Sequence, residues 1–280
     1  MLGLIYRFIC SLEYYYEKEK HVMECIMGKK VVVSIFFIGL IISQASIGWT
    51  ADTTAASAYN WTGFHVGVNA GYGLNSNNDV TLQPVSASFV PVFTAGDVAS
   101  PELKSHGFLG GGQIGYDYQF TKSWLVGVEA DLQLADIHDS STGSTPGVPG
   151  FVPEQTYIEQ KLKWLGTFRG RLGALPIDTL LVYVTGGLAY GESSKTATIS
   201  FPSIPQLYSG HKCLTQPGGV AGGGLEWAFW KNVSIKVEYL YYSLSTDTVT
   251  ISTVNGPSGT ASAQFDTKGS IIRTGLNYKF

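Results

Sequence analysis

The chain has 280 residues, a formal charge of -3 at pH 7, 14% charged and 13% aromatic residues, with 34 Gly and 16 Tyr. Such a balance offers no basic surface to neutralise phosphates, which sets nucleic acid aside as a partner. Mean hydropathy is near neutral because apolar and polar residues interleave, a profile that excludes a helical membrane protein and fits one large all-β domain better than two ordinary ones.

Residues 1–26, with "EYYYEKEKH", fit no export signal and read as an extended or non-native segment ahead of Met27. Residues 27–48 have the layout of a secretory signal peptide: Lys29 and Lys30, an apolar run from Val31 to Ile42, then small residues. That run is shorter than the about 20 residues needed to cross a bilayer as a helix. Ser43 and Ala45, or Ser46 and Gly48, give two possible cleavage sites. Cleavage removes Cys10 and Cys25, leaving Cys213 as the sole cysteine, so no internal disulfide is expected. A polar linker over 49–59 precedes the domain expected over 60–280.

Within that domain a period-two pattern, the mark of a strand with two different faces, recurs eight times. In the first segment Phe64, Val66, Val68, Ala70 and Tyr72 oppose Gly63, His65, Gly67, Asn69 and Gly71; in the second Ile114, Tyr116, Tyr118 and Phe120 oppose Gln113, Gly115, Asp117 and Gln119. The third sets Trp124, Val126, Val128, Ala130, Leu132 and Leu134 against Gly127, Glu129, Asp131 and Gln133. The fourth sets Leu162, Trp164, Phe168 and Leu172 against Lys161, Lys163, Thr167, Arg169 and Arg171. In the fifth Leu180, Val182, Val184, Leu188 and Tyr190 oppose Tyr183, Thr185 and Gly187. Leu225, Trp227 and Phe229 oppose Gly224, Glu226 and Ala228 in the sixth; Val233, Ile235, Val237, Tyr239 and Tyr241 oppose Ser234, Lys236, Glu238 and Tyr242 in the seventh. The terminal "IIRTGLNYKF" places Ile272, Thr274, Leu276, Tyr278 and Phe280 against Arg273, Gly275, Asn277 and Lys279.

Short turns ("TKS", "PID", "KN") alternate with long polar stretches, Asn75 to Ser105, Asp136 to Glu159, Glu192 to Gln216 and Ser243 to Ala263, which show no sustained periodicity and read as flexible loops. The polar faces are poor in ordinary surface Lys and Glu, as expected of a crowded interior. Trp124, Trp227, Phe229, Phe120, Tyr278 and Phe280 cluster on the apolar faces beside the short turns, with Tyr72 and Tyr190 near the long ones, as aromatic belts at two bilayer interfaces do. A spanning sheet must close, because lipid offers backbone groups no partners. The fold expected is therefore all-β: an eight-stranded antiparallel transmembrane β-barrel with long extracellular loops and short periplasmic turns.

"NWTGFHVGVNAGYG" after the leader, with the terminal "IRTGLNYKF", resembles the small outer-membrane β-barrel proteins of the Omp25/Omp31-like porin family, alphaproteobacterial surface antigens of Gram-negative cells. The resemblance covers Asn60 to Phe280 and implies an OmpA/OmpX-like barrel, a cell outer-membrane location, contact with outer-membrane lipid, and a terminal Phe280 with Tyr278 read by the outer-membrane assembly machinery. It departs from OmpA in having no domain after the eighth strand. Family members are called structural or porin-like, and some are reported to bind haem.

Inward-facing Glu129, Asp131, Arg169, Arg171, Glu226, Lys236, Glu238 and Arg273 are the candidate site. An eight-stranded barrel is just wide enough for its side chains to fill it, so these charges should pair, either as a stabilising plug or as a narrow passage for small solutes. Gly63, Gly67, Gly71 and Gly115 would leave room for them. His65, His106, His138 and His211 show no metal-ligand spacing, so no metal and no cofactor is expected, although the loop histidines keep surface haem binding open. His138 and Ser140 stand two apart with no third orienting residue, so no enzyme is expected. The alternative function is a surface receptor or adhesin that takes a host or small-molecule ligand at its loops.

Overall fold

The computed structural model describes residues 59–74, 80–85, 103–145, 153–201, 203 and 206–280. The segment 1–26 and the leader read over 27–48 lie outside these, as does nearly all of the linker. Nine strands follow in order: β1 (Gly63–Leu74), β2 (Val80–Pro84), β3 (His106–Gln119), β4 (Trp124–Thr145), β5 (Glu154–Ile177), β6 (Leu180–Phe201), β7 (Gln206–Ala228), β8 (Val233–Asn255) and β9 (Thr260–Lys279).

Eight of them form a closed antiparallel ring, each paired with its sequence neighbour and β1 paired with both β3 and β9. The closing register runs from His65 opposite Lys279 to Leu74 opposite Ser270, and Phe280 N donates to Phe64 O at 2.9 Å. Short β2 takes over from β1 along the upper part of β9, from Val80 opposite Phe265 to Pro84 opposite Ala261. Large apolar side chains face outward around this ring: Val68 is 63% exposed and Leu188 66%. Such a band costs too much in water to be a soluble surface, since each Å² of apolar area exposed is worth about 25 cal/mol.

Strand length corrects the sequence reading. About 9 to 11 residues span a bilayer, yet β4 to β9 run 22, 24, 22, 23, 23 and 20 residues. Three of the four stretches read as aperiodic loops, 136–159, 192–216 and 243–263, are largely strand, forming a β-extension beyond the outward apolar band, and within 75–105 the described residues include the short β2. Two local features hide its periodicity. Register shifts at Leu162/Trp164 in β5 and Leu244/Asp247 in β8 reverse which parity faces inward, as a β-bulge does. Leu162 is consequently buried inside, whereas Lys161 and Lys163, expected on the interior face with Arg169, lie outside.

Polarity also reverses along the axis. Within the ring the outside is apolar; in the extension the inside is apolar, with Ile158, Ile199, Val249, Ile251, Ala263 and Phe265 in one cluster and Thr198, Thr250 and Ser252 facing out. Each fully buried Ile or Phe there contributes about 1.5–3 kcal/mol, so the extension has a core of its own. A second apolar layer, including Leu109, Ile137, Leu165, Val220, Leu240 and Ile271, fills the interior just below it.

Candidate functional site

The eight charged residues singled out from the sequence come together, all buried, in one network below that second layer. Alternation on five different strands aims them inward, and closure of the ring brings strands that are not neighbours within reach. Arg169 on β5 is the hub. Its Nη1 donates to Glu238 Oε1 at 2.8 Å, and its Nη2 to Glu129 Oε1 at 2.5 Å and Asp131 Oδ2 at 2.9 Å. Arg273 reaches Glu238 Oε2 through Nε at 2.7 Å and Asp131 Oδ2 through Nη2 at 3.0 Å. Lys236 Nζ lies 2.7 and 2.8 Å from the two carboxylate oxygens of Glu129. Arg171 Nη1 donates to Glu226 Oε2 at 3.0 Å.

Neutral donors complete the carboxylates. Glu226 Oε1 accepts from Ser234 Oγ at 2.5 Å and Asn277 Nδ2 at 2.8 Å. Asp131 accepts from Thr167 Oγ1 at 2.8 Å and Gln133 Nε2 at 3.1 Å, and Tyr183 OH donates to Glu238 Oε1 at 3.0 Å. A buried charge cluster is tolerable only when pairing and hydrogen bonding are this extensive.

Two members escaped the sequence reading although both had been assigned to the polar face. Asp117 takes Arg171 Nε at 2.6 Å and pairs with its Nη2 as well, a two-pronged contact. His65 stands between Asp117 (Nδ1–Oδ2 3.4 Å) and Glu129 (Nε2–Oε2 3.6 Å). The network thus holds five carboxylates (Asp117, Glu129, Asp131, Glu226, Glu238) and four permanent cations (Arg169, Arg171, Lys236, Arg273), with His65 placed between two of the carboxylates. The signal available in the sequence was parity, since both Asp117 and His65 stand on the polar faces of their segments. The interior glycines fit this crowding: a Cβ on Gly71 would meet Arg273 Cβ at 2.5 Å, and one on Gly115 would meet His65 Cε1 at 2.6 Å.

Below the network the barrel is closed by the residues just before β1. Trp61 is 2% exposed and packs with Leu125, Leu175, Leu181, Tyr183 and Ala228. Its Nε1 donates to Asp178 O in the β5–β6 turn at 2.9 Å, and its ring meets Tyr59 edge-on at 4.8 Å. Between the upper two apolar layers sits Lys195, fully buried, donating to Gln216 Oε1 at 3.2 Å with its ammonium 5.7 Å from the Phe265 ring centre. Burial pulls its pKa down to about 8.

The remaining candidates do not assemble into the interior site. His106 and His138 face outward on β3 and β4, and His211 lies on β7 beside Thr196. Asp136 Oδ1 does stand 3.5 Å from His138 Nδ1, but it is tied to Lys161 at 2.7 Å. No hydrogen bond joins His138 to Ser140 among the described residues. Among the described residues no group of three or more His, Cys, Asp or Glu is arranged to hold a metal ion. Cys213 Sγ lies 3.1 Å from Lys163 Nζ, and Cys10 and Cys25 lie outside the described residues.

A closed antiparallel ring with an apolar outside and a paired-charge interior is the architecture of a bacterial outer-membrane β-barrel. The chain belongs to the family of the outer membrane protein beta-barrel domain, whose model matches residues 49–280. It is 30% identical over 251 residues to the 31 kDa outer-membrane immunogenic protein of Brucella melitensis biotype 1, covering 89% of this chain and 97% of that relative; the Brucella suis biovar 1 protein of the same name matches equally. The resemblance to the Omp25/Omp31 type therefore holds over most of the chain, and the protein is an outer-membrane protein. Among solved structures, OprG of Pseudomonas aeruginosa aligns at 13% identity with a TM-score of 0.47, covering 80% of this chain and 99% of that one. Neisserial surface protein A aligns at 12% identity and 0.33, covering 78% and 98%.

Proposed function

We propose that the protein is a structural outer-membrane barrel whose interior is packed rather than conducting, and whose β-extension is its surface-facing part. The observation that carries this reading is the position of Arg169, which joins Glu129, Asp131 and Glu238 through the middle of the ring. Apolar layers above it and Trp61 below it leave a solute no continuous polar route through the described residues. Opening one would require breaking buried ion pairs at roughly 3–5 kcal/mol each. Planar-bilayer recording of the purified protein tests this: current at the level of protein-free membranes is expected, and discrete, ion-selective steps would overturn it.

The same reading assigns the protein no reaction, in keeping with its match to outer-membrane immunogenic proteins. A receptor role is supported by a different observation, namely that outward Thr198 and Ser209, 3.1 Å apart across β6 and β7, lie on a sheet with its own core. A hydroxyl-bearing face backed by its own apolar core suits partner recognition with little ordering entropy. Thr198→Glu and Thr250→Glu should abolish any cell or ligand binding and leave permeability and barrel yield unchanged; binding that survives both substitutions would count against this face.

A further inference from the structure

We propose that His106 and His138 form a two-imidazole site for a divalent transition-metal ion on the outer surface of the barrel, at the base of the extension. This is independent of whether the lumen conducts. The two residues are far apart in sequence, but the β3–β4 register sets them directly opposite one another. Directly opposed residues on one face of an antiparallel pair have Cβ atoms about 4.5–5.5 Å apart. Imidazole nitrogens bind Zn(II) at about 2.0–2.1 Å, so one ion between the two rings is within reach of both. Both side chains face outward and are exposed, so their rings can turn toward a shared ion without moving the backbone.

The groups around the pair favour ligation. His106 Nδ1 lies 3.1 Å from Lys104 O, and His138 Nδ1 lies 3.5 Å from Asp136 Oδ1. A backbone carbonyl and a carboxylate are the partners that orient metal-binding histidines, because they accept the Nδ1 proton and leave Nε2 as the free donor. Asp136 is held at 2.7 Å by Lys161, which sits opposite His138 on β5. That ion pair keeps the Lys161 charge compensated and keeps Asp136 in the supporting position rather than on the metal. The Tyr72 ring, 6.2 Å from that of His106, bounds the site on the barrel side. With two protein ligands, the remaining coordination positions belong to water, and nitrogen donors of this kind suit Cu(II), Ni(II) and Zn(II) over Mg(II) or Ca(II).

Untagged protein in detergent, titrated calorimetrically with ZnCl2 at pH 7.5 in a non-chelating buffer, tests the site. One saturable zinc per chain is expected, lost in His106→Gln and in His138→Gln, weakened roughly tenfold in Asp136→Asn, and retained in His211→Gln. All variants should keep the unheated gel mobility of the native barrel, since the substituted side chains lie on its outer surface. Absence of saturable binding by the native protein, or equal binding by the His106→Gln/His138→Gln double variant, overturns the proposal.

Discussion

Arg169 on β5 and Glu238 on β8 meet at 2.8 Å across the interior, although two further strands of the ring, β6 and β7, separate them. The pair therefore ties opposite parts of the ring together instead of reinforcing one ladder. Replacing Arg169 with Met would strand Glu129, Asp131 and Glu238 with fewer cations, and breaking a buried pair from one side costs roughly 3–5 kcal/mol. Urea unfolding of the detergent-solubilised barrel should show a loss of that size for Arg169→Met. An unchanged midpoint would mean that the network contributes little to stability.

Consecutive glycines on β3 should respond oppositely to one added methyl. A Cβ on Gly111 would collide with the backbone carbonyl of Leu132 and come within 2.7 Å of Gln133 Cα, whereas at Gly112 the nearest atom is Gly67 O at 3.9 Å. Overpacking against atoms that cannot move costs about 1–3 kcal/mol. Gly111→Ala is expected to lower folding yield or thermal stability by such an amount, with Gly112→Ala close to the native protein.

Stability of the extension should depend on pH through Lys195. Its pKa of about 8 in the folded state lies below the about 10.4 of an exposed lysine. Burial is the main cause; Asp247 and Asp266 pull the other way, and Lys212 adds to the lowering. Between those two values the unfolded chain binds more protons than the folded one, so stability rises as pH climbs from about 8 toward about 10.4. Hydrogen-exchange protection factors on β6 to β9 above the apolar outer band, taken relative to the base-catalysed intrinsic rate at each pH, should rise over that interval. In Lys195→Met, which leaves no charge to bury, this part of the pH dependence should vanish and the extension should be more protected at pH 7.

Phe280 completes the closing edge. Its backbone N donates to Phe64 O, and its ring packs edge-on against Tyr278 at 5.3 Å. Deleting Phe280 should reduce the fraction of heat-modifiable barrel recovered from the outer membrane. Normal yield without it would separate this residue from assembly.

Much of the candidate site was readable residue by residue. Glu129, Asp131, Arg169, Arg171, Glu226, Lys236, Glu238 and Arg273 stand on polar faces because parity along a strand is a local property, and parity is all their inward orientation needs. Lys161 and Lys163 were misplaced for the same reason: one register shift at Leu162/Trp164 reverses parity, and nothing in the residues themselves marks it. The extension was missed because its apolar residues face inward, the reverse of the band below it. On β6 a pattern built on the buried Ala197 and Ile199 thus falls out of step with one built on the outward Val182 and Val184.

By itself the sequence determined the alternation, the even number of principal strands, the outward aromatic and aliphatic band and the identity of most buried charges, since each follows from side-chain polarity at period two. Only the tertiary structure decided who meets whom. Closure of the ring chose Glu238 and Asp131 for Arg169, brought Asp117 and His65 into the network, folded Trp61 beneath the barrel and set His106 against His138. Those contacts depend on register between strands and on distances across a closed ring, quantities that span tens to over a hundred residues of chain and leave no imprint on local spacing.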